Sequence, residues 1–368
     1  MSQTIEALTK SLLHAARQAG ADSADAMAVR GTSVNVDVRG GVLEQAERAE
    51  GVDIGLRVFV GQRSANVSAS DTSDRTIEEM AIRAVAMAKE APEDPYIGLA
   101  DPDQLATDWD VEALELYDPA PEPSPEALQE DAARAEAAGL AVKGVSQVQS
   151  AGAGYGAQQV FMAASNGFEG GYRRTDRGLS CVAIAGTGTG MERDYDGDSR
   201  IFQTDLRSPE DIGTKAGERV LERMGARKPP TGAYPVLFDE RISSALIGHL
   251  LSAISGSAIA RGASWLRDAM GDQVLPKGLS LIEDPFRPRV AGSRPFDGEG
   301  LPTSRRTIVE DGILQGWTLD LATARKLGLT PTGNAARGTG SNPGPATWNI
   351  ALSQGDATRA DLIRDMGT

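Results

Sequence analysis

Only two of the 368 residues are histidines, His14 and His249, and the second lies in the helix-like run "LIGHLLSAISG". Zincin-type hydrolysis needs two histidines one helical turn apart and a glutamate beside the first, so that two ring nitrogens hold the ion while the carboxylate deprotonates its water. Leu250 follows His249, and Ala253 and Ile254 stand where a second histidine would be. That pair is absent, nothing in the sequence brings His14 close, and His249 is expected to pack within its helix. Asp284, Asp297 and Glu299 carry the oxygen chemistry of a Mg²⁺ site or of acid/base catalysis. The stretch "EDPFRPRVAGSRPFDGEGLPTSRR" reads more simply as a long ordered loop whose acids pair with Arg287, Arg289, Arg294, Arg305 and Arg306. No G-x-S-x-G elbow is present, and a serine or cysteine nucleophile would lack a histidine base.

Two further stretches imitate ligand loops. Gly186, Gly188 and Gly190 resemble a phosphate loop, but no Gly-Lys-Ser/Thr follows, and a flexible hairpin is expected. Asp194, Asp196, Asp198 and Asp205 have the spacing of Ca²⁺-loop ligands, yet Ser199 sits where the sharp turn wants glycine, so a solvated acidic loop is expected. The single cysteine, Cys181, sits in the apolar run "LSCVAI" and reads as a buried structural thiol. In "TGNAARGTGSNPGP", Gly333 permits close backbone approach, while Asn334 and Arg337 offer amide and guanidinium groups suited to a peptide or a partner; an ordered surface loop is the alternative.

Composition narrows the classes. The 52 acidic against 37 basic residues give a net charge of −15, which opposes a phosphate backbone, and no basic run gathers on one segment. No apolar run approaches the roughly 20 residues a membrane helix needs, and the N-terminus lacks a secretory pattern. One cysteine excludes an intrachain disulfide and fits a cytoplasmic protein.

The elements that must position these groups fall into three units. Ile5, Leu8 and Leu12 at helical spacing predict a first helix; alternation over 26–70 predicts an antiparallel sheet, and "SDRTIEEMAIRAVAMAKEAP" a second helix. Residues 1–91 thus form an N-terminal α+β domain. Seven prolines from Pro92 to Pro125 mark a linker or crossing loop over 92–123. Residues 124–227 read as a central α+β domain with strands near 145–150, 157–165, 170–174 and 178–187, and with two Ser-Pro-Glu helix starts. Residues 228–368 read as a β-rich C-terminal domain with a helix over 241–258 and a hairpin turning at Asp311-Gly312.

"GGVLEQAERAEGVDIGLRVFVGQRSANVSASD", "SLIEDPFRPRVAGSRPFDGEGLPTSRRTIVEDGIL" and "DLATARKLGLTPTGNAARG" resemble the TldD/PmbA family, and within it the PmbA branch, also called TldE. Its members were once described as modulators of DNA gyrase. The resemblance runs from about residue 25 to the end and implies an accessory subunit of a heterodimeric zinc protease of the bacterial cytoplasm, acting on unfolded peptides. It places the zinc in a TldD-type partner, none in this chain, and makes "SSALIGHLLSAISGSAIARG" a degenerate metal helix in which His249 stands alone. It also implies further C-terminal strands, so the third domain is expected to be incomplete, with a free edge open to homodimer formation. A self-sufficient hydrolase with a carboxylate-bound metal and a DNA gyrase modulator are the alternatives.

Overall fold

The computed structural model describes residues 3–367. Helix α1 (Ile5–Ala19) is capped by Thr4, whose hydroxyl accepts the Ala7 N–H, and closed by Gly20 in the left-handed conformation. Strands β1 (Ser23–Arg39), β2 (Val42–Val60) and β3 (Arg63–Ala69) follow as a meander, then α2 (Asp74–Glu90). The middle of the chain contributes α3 (Pro125–Ala141), β4 (Val145–Ala164), β5 (Glu169–Ala185), β6 (Glu192–Arg200) and α4 (Pro209–Glu222). Both Ser-Pro-Glu motifs are helix starts, with Ser124 and Ser208 accepting the N–H groups of Ala127 and Asp211.

All six strands join one antiparallel sheet in the order β3-β2-β1-β4-β5-β6. It runs through both units read as α+β in the sequence, since β1 pairs β4 from Asp25↔Ala164 to Val38↔Ala151. The short strands expected at 145–150 and 157–165 are one 20-residue strand. Gly152, Gly154 and Gly156 look like breaks by propensity, but they serve close approach. A Cβ on any of them would come within 2.8 Å of a side-chain oxygen of Asp37, Asn35 or Asp176.

Alternation puts all four helices on one face of the sheet. Ala24, Ala26 and Ala28 of β1 lie in the core formed with α1 and α2, and Val34, Val36 and Val38, on the same face, in the core formed with α3 and α4. Helices α3 and α4 touch through glycine: a Cβ on Gly213 would sit 2.0 Å from the Ala135 carbonyl oxygen. Cys181 lies wholly buried in this second core, and burial pushes its thiol up to about 12, so it is an inert packing group.

The third unit holds α5 (Glu240–Ala253), α6 (Gly256–Ala260), β7 (Leu281–Glu283), β8 (Arg306–Glu310), β9 (Ile313–Leu314) and α7 (Leu321–Leu327). Strands β10 (Ala335–Ala336), β11 (Gly344–Pro345) and β12 (Ile350–Leu352) and helix α8 (Arg359–Asp365) complete it. Its larger sheet has the order β12-β7-β8-β9, built from strands of two to five residues set among long ordered loops. Asp311 and Gly312 take φ of 47° and 84°, as the two-residue hairpin requires. The helix expected over 241–258 breaks after Ala253 and restarts at Gly256, where a Cβ would meet Thr323 Oγ1 at 2.5 Å. The proline-rich stretch 92–123 is an ordered crossing loop: Ala100, Ala106, Leu114 and Leu116 are buried, and Arg325 donates to the carbonyls of Tyr96, Gly98 and Leu99.

Candidate functional site

The sheet face opposite the helices is half roofed and half open. Over Met27, Val160 and Met162 the roof is an aromatic cluster, with the Phe296 ring 5.1 Å from Trp109, 5.0 Å from Phe168 and 5.8 Å from Tyr172. Gly170 admits it, since a Cβ there would lie 2.8 Å from the Phe296 ring. Farther along the same face, Asn35, Asp37, Gly152, Gly154, Gly178 and Ser180 floor an open cleft of about 1040 Å³ that reaches Tyr195 and Arg207. Glycine gives this floor its depth; amide, hydroxyl and carboxylate groups give it hydrogen-bonding capacity. Neither histidine nor cysteine is among the residues lining the cleft.

The loop bearing Arg337 reaches the roofed half of this face. Asp25 and Arg57 are direct cross-strand partners, Arg57 Nε donating to Asp25 Oδ2 at 3.0 Å, and Arg337 Nη1 donates to Asp25 Oδ1. All three side chains are at most 7% exposed. Desolvation opposes the Asp25 charge, but Arg337 and Arg57 outweigh it and hold the carboxyl below its ordinary value. Thr339 lies on the sheet at Gly55, where a Cβ would be 2.1 Å from its carbonyl oxygen.

Two more acids close this network. Asp297 Oδ1 accepts the N–H groups of Glu299 and Leu301, and its Oδ2 accepts that of Ala335. Burial nonetheless pushes its carboxyl up to about 6. Glu299 accepts the Leu321 N–H at 2.9 Å and stands 4.0 Å from Arg57. Burial, with Asp297 beside it, pushes its carboxyl up to about 8. The folded protein therefore holds the Glu299 proton more tightly than the unfolded chain does. This stabilisation is complete below the ordinary carboxyl value near 4.5 and is lost as pH climbs through about 8. Glu299→Gln keeps an acceptor for Leu321 and carries no titrating proton. The variant is expected to flatten the decline of the urea midpoint between pH 4.5 and 8, and an unchanged slope would remove Glu299 from the network.

Of the residues singled out in the sequence, Arg337, Asp297 and Glu299 meet around the Asp25 network, whereas Gly333, Asn334, Asp284 and His249 serve elsewhere. Gly333 has φ of 69°, and a Cβ there would sit 2.2 Å from the Pro302 carbonyl oxygen, so its glycine is a packing requirement. Asn334 is buried and donates to Glu283 and to the Ala346 carbonyl. Arg337 is inside the protein, not on a surface loop. Asp284 accepts the Phe286 N–H and stands 3.7 Å from Arg305, whereas Asp297 and Glu299 take backbone N–H groups and face Arg57, so the expected pairing of these two acids with the arginines of their own loop is corrected. The expectation that His249 packs within its helix is also corrected: it is exposed, while Leu250 and Ala253 turn inward. Nor do Asp194, Asp196 and Asp198 form a solvated loop. They lie on β6, where Asp194 and Asp196 are buried and paired with Arg241, Arg207 and Arg219, because α5, the segment leading into α4, and α4 itself bring those arginines to the sheet edge.

Sequence reasoning missed Asp25, Arg57 and Glu283. A charged pair at facing positions of otherwise apolar strands was the available signal for the first two. Glu283, at the end of β7, accepts from Arg306, Asn334 and the Trp348 N–H, and ties the loops of the third unit together.

A metal helix is the remaining question, and α5 does not fit one. Leu250, Ala253 and Ile254 are packed into the third unit's core with Leu281, Ile308 and Val309, and His14 is exposed on α1. Among the described residues, no group of three or more His, Cys, Asp or Glu side chains is placed to hold a metal ion.

Comparison with known proteins places this architecture among metallopeptidase-related folds. Models of the PmbA/TldA metallopeptidase family match as domain 1 over residues 24–88, the central domain over 118–224 and the C-terminal domain over 231–368. The metalloprotease PmbA of Escherichia coli O157:H7 is 36% identical over 350 residues, covering 94% of this chain and 75% of that protein. The PmbA homolog of Haemophilus influenzae is 33% identical over 356 residues, covering 96% and 76%. A solved protein from Bacteroides thetaiotaomicron, named for a proposed modulation of DNA gyrase, superposes with a TM-score of 0.87 at 25% identity, covering 97% of this chain and 79% of that one. TldE from Thermococcus kodakarensis shares the fold, with a TM-score of 0.78 at 19% identity over 97% and 80% of the two chains. The chain belongs to the PmbA/TldD metallopeptidase family. No helix among the described residues is long and apolar enough to cross a membrane.

Proposed function

We propose that this protein is the non-catalytic, TldE-like member of a two-subunit cytoplasmic metallopeptidase: it forms part of the chamber that holds an unfolded peptide and leaves the zinc chemistry to a TldD-type partner. The observation that carries this reading is the packing of Leu250, Ala253 and Ile254, which fills with apolar core the positions where a metal helix needs a carboxylate and an imidazole. The open polar cleft supports the binding role. Its groups suit the main chain of an extended peptide, and its small floor residues select little among side chains. Gly178 tests the idea, because it lines the cleft and a Cβ there would meet nothing within 4 Å. Gly178→Trp should leave unfolding and assembly intact and suppress cleavage of an unfolded peptide by the mixed subunits. Undiminished cleavage would take the cleft out of the chamber.

A further inference from the structure

Under the aromatic roof, a smaller cavity of about 100 Å³ opens between the sheet and the third unit. Met162, Tyr172, Phe296 and Trp348 give it apolar walls, and Arg294 and Arg337 supply its cations. The Arg337 side chain is 4% exposed, and its Nη1 is engaged by Asp25, but its Nε and Nη2 are buried and have no hydrogen-bond partner among the described residues. Two buried guanidinium nitrogens left without acceptors are costly, and their N–H groups suit the oxygens of a ligand. Arg294 lies over the Trp348 ring at 5.1 Å and, among the described residues, donates to main-chain carbonyls and pairs with no carboxylate. Arg174, beside it, donates to the Ser293 carbonyl and has an unpartnered Nε as well. The acid that borders the cavity, Asp297, has its oxygens occupied by three backbone N–H groups. Tyr172, Arg294, Gly298 and Ala336 are half-buried and form the mouth.

We infer that this cavity is a carboxylate-binding pocket, in which the free N–H groups of Arg337 and the guanidinium of Arg294 receive the two oxygens while the aromatic walls take an apolar neck. A peptide held by the protein would present its C-terminal carboxylate here; that source rests on the function proposed above, whereas the pocket itself does not.

The test is calorimetric titration of the whole protein with three probes: a short N-acetylated peptide ending in leucine with a free carboxylate, the same peptide as its C-terminal amide, and N-acetyl-leucine. The free acid should bind at least about tenfold more tightly than the amide, as expected when charge-assisted hydrogen bonds are lost. Arg294→Gln, at a half-buried position outside the Asp25 network, should erase that preference with the unfolding midpoint unchanged. N-acetyl-leucine binding as well as the peptide acid would support the pocket while assigning it to free carboxylic acids. Equal binding of acid and amide would overturn the pocket and leave peptide holding intact, and absence of binding by all three would overturn both. A preference that survives in Arg294→Gln with Arg337→Lys added would also overturn the assignment.

Discussion

Asp25→Ala is expected to destabilise the protein by about 3–5 kcal/mol, the cost of leaving a buried charge without its partner. Asp25 is the shared acceptor of Arg57 and Arg337, and all three lie inside the protein. Its removal strands two guanidinium groups between the sheet and the third unit, with Glu299 at 4.0 Å the nearest remaining acid to Arg57. Asp25→Asn keeps the shape and one acceptor, so its loss should be smaller than that of alanine. Urea unfolding at neutral pH measures both. An alanine variant within about 0.5 kcal/mol of the parent, the range of ordinary surface substitutions, would mean that the network contributes little to seating the third unit.

Phe296→Ala is the second large effect, again about 3–5 kcal/mol, because a buried aromatic is lost and its neighbours cannot close the space. Phe296 is 2% exposed and is the common member of contacts with Trp109, Phe168 and Tyr172, which come from the crossing loop, the β4–β5 turn and β5. The cores under α1 and α2 and under α3 and α4 do not include it. Limited proteolysis of the variant should therefore cut first between residues 228 and 367, before the six-stranded sheet opens. Simultaneous loss of all regions would instead show that roof and sheet unfold as one unit.

Local signals were enough for α1 to α4, because capping and apolar spacing act within a few residues, but not for the break between α5 and α6 or for α7. Ile5, Leu8 and Leu12 mark α1, and Ser124 and Ser208 each begin a helix at the following proline. The long strands were harder. Glycines at 152, 154 and 156 suggest breaks until the side chains of Asp37, Asn35 and Asp176 are placed over them by neighbouring strands. Arg337 attracted attention as a guanidinium among glycines, yet its position is decided by Asp25, 312 residues away in the chain. Asp297 and Glu299 read as possible metal ligands because carboxylates in a loop carry no mark of burial. Only the folded chain shows their oxygens turned to backbone N–H groups and Arg57.

In the proposed division of labour this chain shapes and holds while a partner cuts. Zinc content and peptidase activity, measured on the chain alone and after mixing with a TldD-type subunit, test it most directly. Neither zinc nor cleavage is expected in the isolated chain, and both are expected in the mixture. Zinc-dependent cleavage by the isolated chain would contradict it.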